Sequence, residues 1–147
     1  MMNNPELQQR LRAVSQLAAF NNWLGLQVDE VSSGAVQLSL PWRAEMGQYA
    51  GFMHAGIQGA LIDTACGFAA ATLSGQVLAS QYTVRCLRPA VGEHFRVVAK
   101  VIKPGRQQIF AAAELYATRN GEETLVACGD VLLVPQAQQK TESELQG

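Results

Sequence analysis

The chain has 147 residues, with 11 Lys and Arg, 12 Asp and Glu, and a formal net charge of −1. This length fits one domain with a sizeable core, and the near-neutral charge argues against bulk affinity for nucleic acid. The first residues lack the basic and apolar regions of a signal peptide, and no apolar run reaches the roughly 18 residues of a membrane span. We therefore expect a cytoplasmic protein that engages neither nucleic acid nor membrane.

The N-terminal pattern predicts one helix over residues 4–20, or 4–21 at the widest. Asn4 is a good cap, Pro5 suits the first helical position, and an apolar stripe follows at helical spacing. Asn21 and Asn22 are predicted to end this helix. Two short strands at 24–31 and 35–40 and a loop at 41–53 are predicted to follow.

Four strands are predicted in the second half, at residues 77–87, 94–103, 107–118 and 124–134. Asn120-Gly121 indicates a tight hairpin between the last two. Consecutive strands with short turns predict an antiparallel meander, and such a sheet needs a helix to cover it. We predict a single domain over residues 1–135 and a polar, disordered tail over 136–147.

The stretch from residue 57 to 73 is apolar on all sides, and its one charged residue is Asp63. A helix with that pattern is normally buried. An ionised carboxylate inside it is costly unless it is hydrogen-bonded or its pKa moves. Asp63 is therefore our candidate functional group, with a structural anchor for the helix as the alternative.

The start of this helix has a chemistry of its own. If the helix begins near Ala55, the N–H groups of Ala55, Gly56 and Ile57 are free beside the positive end of the helix dipole, where they suit an oxyanion. His54 and Asp63 lie nine residues apart, which puts them about 13 Å apart along the axis and on opposite faces. Joint action on one carbonyl therefore requires a dimer of antiparallel helices.

The sequence contains no pattern typical of a metal site or of a redox-active cysteine pair. Cys66, Cys86 and Cys128 are odd in number, lie in apolar contexts and lack CxxC spacing, so we predict reduced core thiols. The two histidines are far apart in sequence, and no metal site is predicted. Phosphate-loop and dinucleotide glycine motifs are also lacking.

Three motifs together carry a resemblance to a known family: GFMHAG at 51–56, LIDTA at 61–65 and VRCLRPA at 84–90. With the order of elements over residues 24–134, the chain resembles the hotdog-fold acyl-CoA thioesterases. Within that family it is most similar to the PaaI-like and 4-hydroxybenzoyl-CoA thioesterase group. The resemblance implies an α+β hotdog fold, in which an antiparallel sheet wraps one long central helix, here with an extra N-terminal helix.

The resemblance also implies an activity and an assembly. It implies a thioesterase that hydrolyses a small aromatic or a short- to medium-chain acyl-CoA in a site shared between two subunits. Coenzyme A is part of the substrate, so no separate cofactor is expected. A homodimer is implied, with a dimer of dimers as the larger assembly.

Carried over to this sequence, the family's site falls on the loop and the central helix. Asp63 would be the catalytic carboxylate, as general base or as nucleophile, and Gln48 would lie near the thioester. His54, Ala55 and Gly56 would form the loop whose backbone N–H polarises the carbonyl. The family usually has His-Gly-Gly there, and this chain has His-Ala-Gly.

Other roles are left open by the sequence. Some family members have a hydroxyl where this chain has Gly67, so the candidates that would orient the water are Thr64, Ser80 and Thr83. The candidates for coenzyme A phosphates are Arg85, Arg88, Lys103 and Arg106, which solvated strand ends explain equally well.

Two other functions stay open at this point. A hotdog-fold enoyl-CoA hydratase or dehydratase would also use a His and an acid, and a non-catalytic acyl-CoA or lipid-binding dimer would need no catalysis. The acyl group is open as well, because Met46, Phe52, Met53 and Phe68 suit either an aromatic or an aliphatic pocket.

Overall fold

The computed structural model describes residues 1–136 as a six-stranded antiparallel sheet around one long helix. The helices are α1 (Pro5–Gln16), α2 (Ala19–Leu24) and α3 (Ala55–Ser74), with a 3-10 turn at Ala44–Met46. The strands are β1 (Gln27–Ser32), β2 (Ala35–Pro41), β3 (Val77–Cys86), β4 (His94–Lys103), β5 (Ile109–Arg119) and β6 (Glu122–Pro135).

Helix α3 is the centre of the fold, as its apolar sequence predicts. Its 20 residues pack against five of the six strands, β2 to β6. The fully buried residues, including Leu61, Ile62 and Ala65, lie on the half of the helix that faces the sheet. Asp63 and Gly67, on the opposite half, are only partly buried. A helix this apolar is normally covered by other elements, and the predicted α+β architecture is confirmed.

The sheet order is β1-β2-β4-β5-β6-β3, which corrects the predicted meander of four consecutive strands. β4, β5 and β6 do form a meander, but β3 pairs with β6 at the sheet edge instead of with β4. Residues 87–93 connect β3 to β4 across three strand spacings, about 14 Å. Seven residues reach up to about 23 Å, so this segment is a crossover and not the short turn that it resembles in sequence.

The N-terminal segment contains two helices where one was predicted. The chain leaves the helical path at Leu17 and Ala18, and Ala18 is extended with ψ of 114°. The Asn22 side chain stabilises this break, because its amide donates to the Gln16 carbonyl at 2.8 Å. Asn21 and Asn22, which are predicted to end the helix, instead lie inside α2. α2 ends at Gly25, which is in the left-handed region with φ of 71°.

The two ends of the sheet differ in what covers them. α1 packs against β1, and the Asn4 side chain caps α1 as predicted. β3 is exposed along most of its length, and it carries large apolar side chains such as Leu78, 58% exposed, and Tyr82, 57% exposed. Within residues 1–136 nothing pairs with its outer edge.

The remaining predictions from the sequence have different outcomes. The β5–β6 hairpin is confirmed, with Asn120 and Gly121 at φ of 53° and 79°. Cys66 is buried, whereas Cys86 is exposed, so the prediction of a core thiol is wrong for Cys86. Of the predicted tail, only Gln136 lies among the described residues, and its N–H bonds the Gln76 carbonyl at 2.9 Å.

No helix in the described part of the chain combines the length and the apolar character needed to cross a bilayer.

Candidate active site

The start of α3 leaves one backbone donor available. His54 is the N-cap, and its Nδ1 accepts the Gly56 N–H at 2.8 Å. The Ile57 and Gln58 N–H groups both bond the His54 carbonyl, at 3.0 and 3.1 Å. Within residues 1–136 the Ala55 N–H has no such partner. The prediction of three free donors is therefore corrected to Ala55 alone, and Gly56 acts as the partner of the cap.

The capping bond also determines the tautomer of the neutral His54 ring. A backbone N–H can only donate, so Nδ1 must be an unprotonated acceptor. In the neutral ring the proton then lies on Nε2, which remains a donor. His54 thus holds the helix start and has one further hydrogen-bonding atom for a ligand.

The loop before α3 is held by its own backbone. Gln48 donates its N–H to the Phe52 carbonyl at 2.8 Å, and Gly51 completes the turn with φ of 81°. The Gln48 side-chain oxygen accepts the Ala50 N–H, which leaves its amide NH2 for other contacts. The Met53 N–H bonds the Ala90 carbonyl at 3.0 Å and so ties the loop to the crossover after β3.

A cavity of about 610 Å³ lies against this loop, and we call it the helix-start cavity. It brings together four of the predicted site residues, Gln48, His54, Ala55 and Arg88. The Arg88 side chain is exposed and donates to the Leu125 carbonyl at 2.8 Å. The remaining residues that line it are Tyr49, Phe52, Met53, Gln58, Cys86, Leu87, Pro89 and Ala90.

Gln58 is a residue of this cavity that sequence reasoning missed. Its side chain is buried, with 4% exposed, and its Nε2 donates to the Met53 carbonyl at 3.1 Å. Its Oε1 is buried and has no hydrogen-bond partner among residues 1–136. The sequence does contain a sign of it, because Gln58 is the one amide side chain in a mostly apolar helix. A search for charged residues alone does not find it.

Asp63 lines a second cavity of about 310 Å³, the Asp63 cavity, together with Thr64, Gly67 and residues of β3. The side chain is half-buried, and burial raises the pKa of its carboxyl above the ordinary 3.8. Within residues 1–136 its carboxylate has neither a hydrogen bond nor an ion pair. A structural anchor would be bonded, so the geometry favours a carboxylate kept for a ligand or for water.

The neighbouring Cys66 is not an alternative nucleophile. Burial raises the pKa of its thiol to about 12, and the nearby Asp63 and Asp130 carboxylates add to the rise. The thiol is therefore protonated at neutral pH, and only a thiolate is an effective nucleophile.

The two cavities are separate on one chain, and no residue lines both. Ala55 and Asp63 lie eight residues apart on the continuous helix α3, about 12 Å along its axis. Within one chain the donor at Ala55 and the acid at Asp63 are therefore too far apart to act on the same carbonyl, as the sequence predicts.

Two of the other candidates, Thr83 and Arg85, lie on the face of the sheet away from α3. A Cβ built on Gly59 meets Tyr82 and Val84, so those residues of β3 face α3. Successive side chains alternate between the faces, and Thr83 and Arg85 therefore point away from α3. Within one chain the Thr83 hydroxyl, one of the three candidates to orient water, therefore faces away from Asp63. Arg85 instead pairs with Asp130 at 3.6 Å.

The remaining three candidates also lie outside both cavities. Ser80 is in a bulge of β3, where its hydroxyl donates to the Leu132 carbonyl at 3.3 Å. Arg106 is exposed in the turn between β4 and β5, as is the neighbouring Lys103 at the end of β4. Thr64 and Arg88 are thus the two candidates from these groups that line the Asp63 cavity or the helix-start cavity.

Comparison with known proteins agrees with this architecture. The family described as Thioesterase superfamily matches residues 50–124. A thioesterase family protein from Silicibacter pomeroyi is 37% identical with a TM-score of 0.84, over 87% of this chain and 96% of its own. No curated protein matches the chain.

Two more distant structures share the fold alone. The E. coli PaaI protein from the phenylacetic acid degradation operon is 20% identical with a TM-score of 0.83, over 95% of this chain and 100% of its own. A mutant of a thioesterase enzyme from Staphylococcus aureus is 18% identical with a TM-score of 0.75, over 80% and 98%. From the family match, the relative in Silicibacter and the helix wrapped by its sheet, we conclude that this chain belongs to the thioesterase superfamily and has its hotdog fold.

Proposed function

We propose that the protein is an acyl-CoA thioesterase whose active site is shared between two copies of the chain. The observation that carries this proposal is the half-buried Asp63 carboxylate, which lines a cavity and has no partner in residues 1–136. The one free backbone donor, at Ala55, lies about 12 Å away along the same helix. An acid and an oxyanion donor are the two groups that thioester hydrolysis needs, and a second copy is required to bring them together.

The free edge of β3 supports that assembly. A long exposed edge strand is a ready template for pairing with another chain. If two β3 strands pair antiparallel about their midpoint near Tyr82, the end of one lies beside the start of the other. Cys86 at the end of β3 lines the helix-start cavity, and Leu78 near its start lines the Asp63 cavity. This pairing therefore places the helix-start cavity of one copy against the Asp63 cavity of the other.

In the mechanism that we propose, the thioester carbonyl lies between these two cavities. The Ala55 N–H and the positive end of α3 stabilise the oxyanion that develops on the carbonyl oxygen. Asp63 either takes a proton from the attacking water or attacks the carbonyl carbon itself, giving a mixed anhydride that water then hydrolyses. In both routes the carbon–sulfur bond breaks, and coenzyme A leaves as the thiol after its sulfur gains a proton.

Arg88 is our candidate for the coenzyme A phosphates, since it is the arginine that lines the helix-start cavity. A guanidinium binds phosphate through paired hydrogen bonds. Gln48 and the His54 Nε2 lie in the same cavity as polar contacts for the pantetheine arm or the thioester. No cofactor beyond the coenzyme A of the substrate enters this proposal.

A panel of acyl-CoA thioesters assayed by thiol release tests the proposal. We expect turnover by the wild-type protein and a loss of about 10²–10⁴-fold in Asp63→Asn, the range for a general acid or base. Binding without turnover would instead identify an acyl-CoA-binding dimer, and hydration of an enoyl-CoA would identify a hydratase. Incorporation of oxygen-18 from water into Asp63 after a single turnover would assign the nucleophilic route.

A further inference from the structure

A third cavity, the α1–α3 cavity of about 620 Å³, lies between the N-terminal helix and the central helix. α1 contributes Leu7, Leu11 and Val14 to its walls, and α3 contributes Phe68 and Leu73. Arg10 is the one charged residue that lines it, and that side chain is exposed and paired with Glu6 at 3.2 Å. The cavity thus suits an apolar ligand and has no buried charge for an acidic one.

This cavity adjoins the Asp63 cavity. Val14, Phe68, Ala71 and Gln76 line both the α1–α3 cavity and the Asp63 cavity. Gly67, one helical turn after Asp63, adds no obstruction, because a Cβ built there meets no atom within 4 Å. The α3 residues that line the two cavities run from Asp63 to Leu73, a distance of ten residues or about 15 Å along the axis.

We infer that the α1–α3 cavity holds the acyl group and that the preferred substrate is a linear aliphatic acyl-CoA of medium length. This inference rests on the proposed thioesterase function. Two adjoining cavities that together extend about 15 Å along α3 accept an extended alkyl chain along that length. A single aromatic ring would fill only the part next to Asp63.

Straight-chain thioesters from butanoyl-CoA to decanoyl-CoA, with benzoyl-CoA for comparison, test the chain length. Each added methylene that enters the cavity raises kcat/KM by up to about fourfold, which corresponds to about 0.8 kcal/mol per buried methylene. We expect decanoyl-CoA or octanoyl-CoA to exceed both butanoyl-CoA and benzoyl-CoA.

Ala71→Phe tests the position of the chain. Ala71 is partly buried and lines both cavities, so a phenyl group there obstructs the passage between them, two turns after Asp63. We expect the ratio of kcat/KM for octanoyl-CoA over butanoyl-CoA to fall at least about tenfold, since at least two buried methylenes are lost. Ala13→Phe is the matched control, because Ala13 is exposed on α1 and lines neither cavity, and its ratio stays at the wild-type value.

A second variant guards against misfolding of the first. Val14→Trp narrows the same passage from the α1 side, where the native side chain is 52% exposed and its replacement leaves the core intact. It should lower the same ratio at an unchanged Tm. If benzoyl-CoA is the best substrate, or if neither variant changes the ratio, the acyl group lies elsewhere although the thioesterase function stands.

Binding separates the two proposals if no thioester is hydrolysed. Calorimetry with the thioether S-decyl-CoA measures occupancy of the cavity without any reaction. Binding that Ala71→Phe weakens and Ala13→Phe does not would support the acyl cavity even where the catalytic proposal has failed. Failure of wild-type protein to bind the thioether more tightly than coenzyme A itself would overturn it.

Discussion

Replacing Ala55 with proline removes one hydrogen-bond donor from the start of α3 and changes little else. Ala55 is the first helical residue, a position where proline is favoured because its fixed φ suits the helix. The preceding His54 has ψ of 135°, which lies in the range that a residue before proline prefers. The substitution therefore isolates the N–H that we assign to the oxyanion.

The expected loss follows from the role of that donor. Removing one oxyanion-hole donor costs about 10²–10³-fold in kcat, equivalent to about 2.7–4 kcal/mol. Because Ala55 is the one helix-start donor without a partner in residues 1–136, no neighbouring N–H substitutes for it. We expect kcat for acyl-CoA hydrolysis to fall by this factor, with KM changed far less and Tm within a few degrees of the wild type.

Ala55→Gly is the matched control, since it changes the same exposed side chain and keeps the N–H. Its kcat should stay within a few-fold of the wild type, because loss of helix propensity costs at most about 1 kcal/mol. Equal kcat values for the proline and glycine variants, both folded, would refute the assignment of this N–H to the oxyanion.

Three further predictions concern stability and assembly. Burial raises the pKa of the Asp63 carboxyl above 3.8, so the ionised carboxylate destabilises the folded protein above that pH. Asp63→Asn should therefore have a higher Tm than the wild type at pH 7. A difference in Tm that does not narrow as the pH falls below 3.8 would contradict this. His54→Ala removes the cap on Gly56 and should cost about 1 kcal/mol of unfolding free energy in chemical denaturation, whereas His54→Asn should retain most of it. Tyr82→Lys places a charge on the exposed β3 edge and should give a folded, inactive monomer in size-exclusion chromatography; an active dimer would refute pairing through β3.

The features that are predicted correctly are those that a short stretch of sequence specifies by itself. An apolar segment with a lone carboxylate identifies α3 and Asp63, and Asn120-Gly121 identifies the last hairpin, because each pattern lies within one short window. The strand from residue 94 to 103 is predicted with its observed bounds for the same reason. The position of β3 is different, since its pattern is the same whether it pairs with β4 or with β6.

The orientation of Thr83 has a specific structural cause. The β3–β6 register shifts between Ala79 and Gln81, where Ser80 forms a bulge. Ala79 lines the Asp63 cavity, and in a regular strand Thr83 would share its face. One extra residue reverses the alternation after the bulge, and no local sequence signal marks where such a shift occurs.

Mixing two inactive variants tests the shared active site most directly. Ala55→Pro lacks the donor and Asp63→Asn lacks the acid, so each homodimer should be nearly inactive. If each site takes the donor from one copy and the acid from the other, a mixed dimer contains one intact site. A refolded equimolar mixture should then recover about a quarter of wild-type activity, since about half of the dimers are mixed and each has one working site of two. A mixture no more active than its two parents would contradict the shared site.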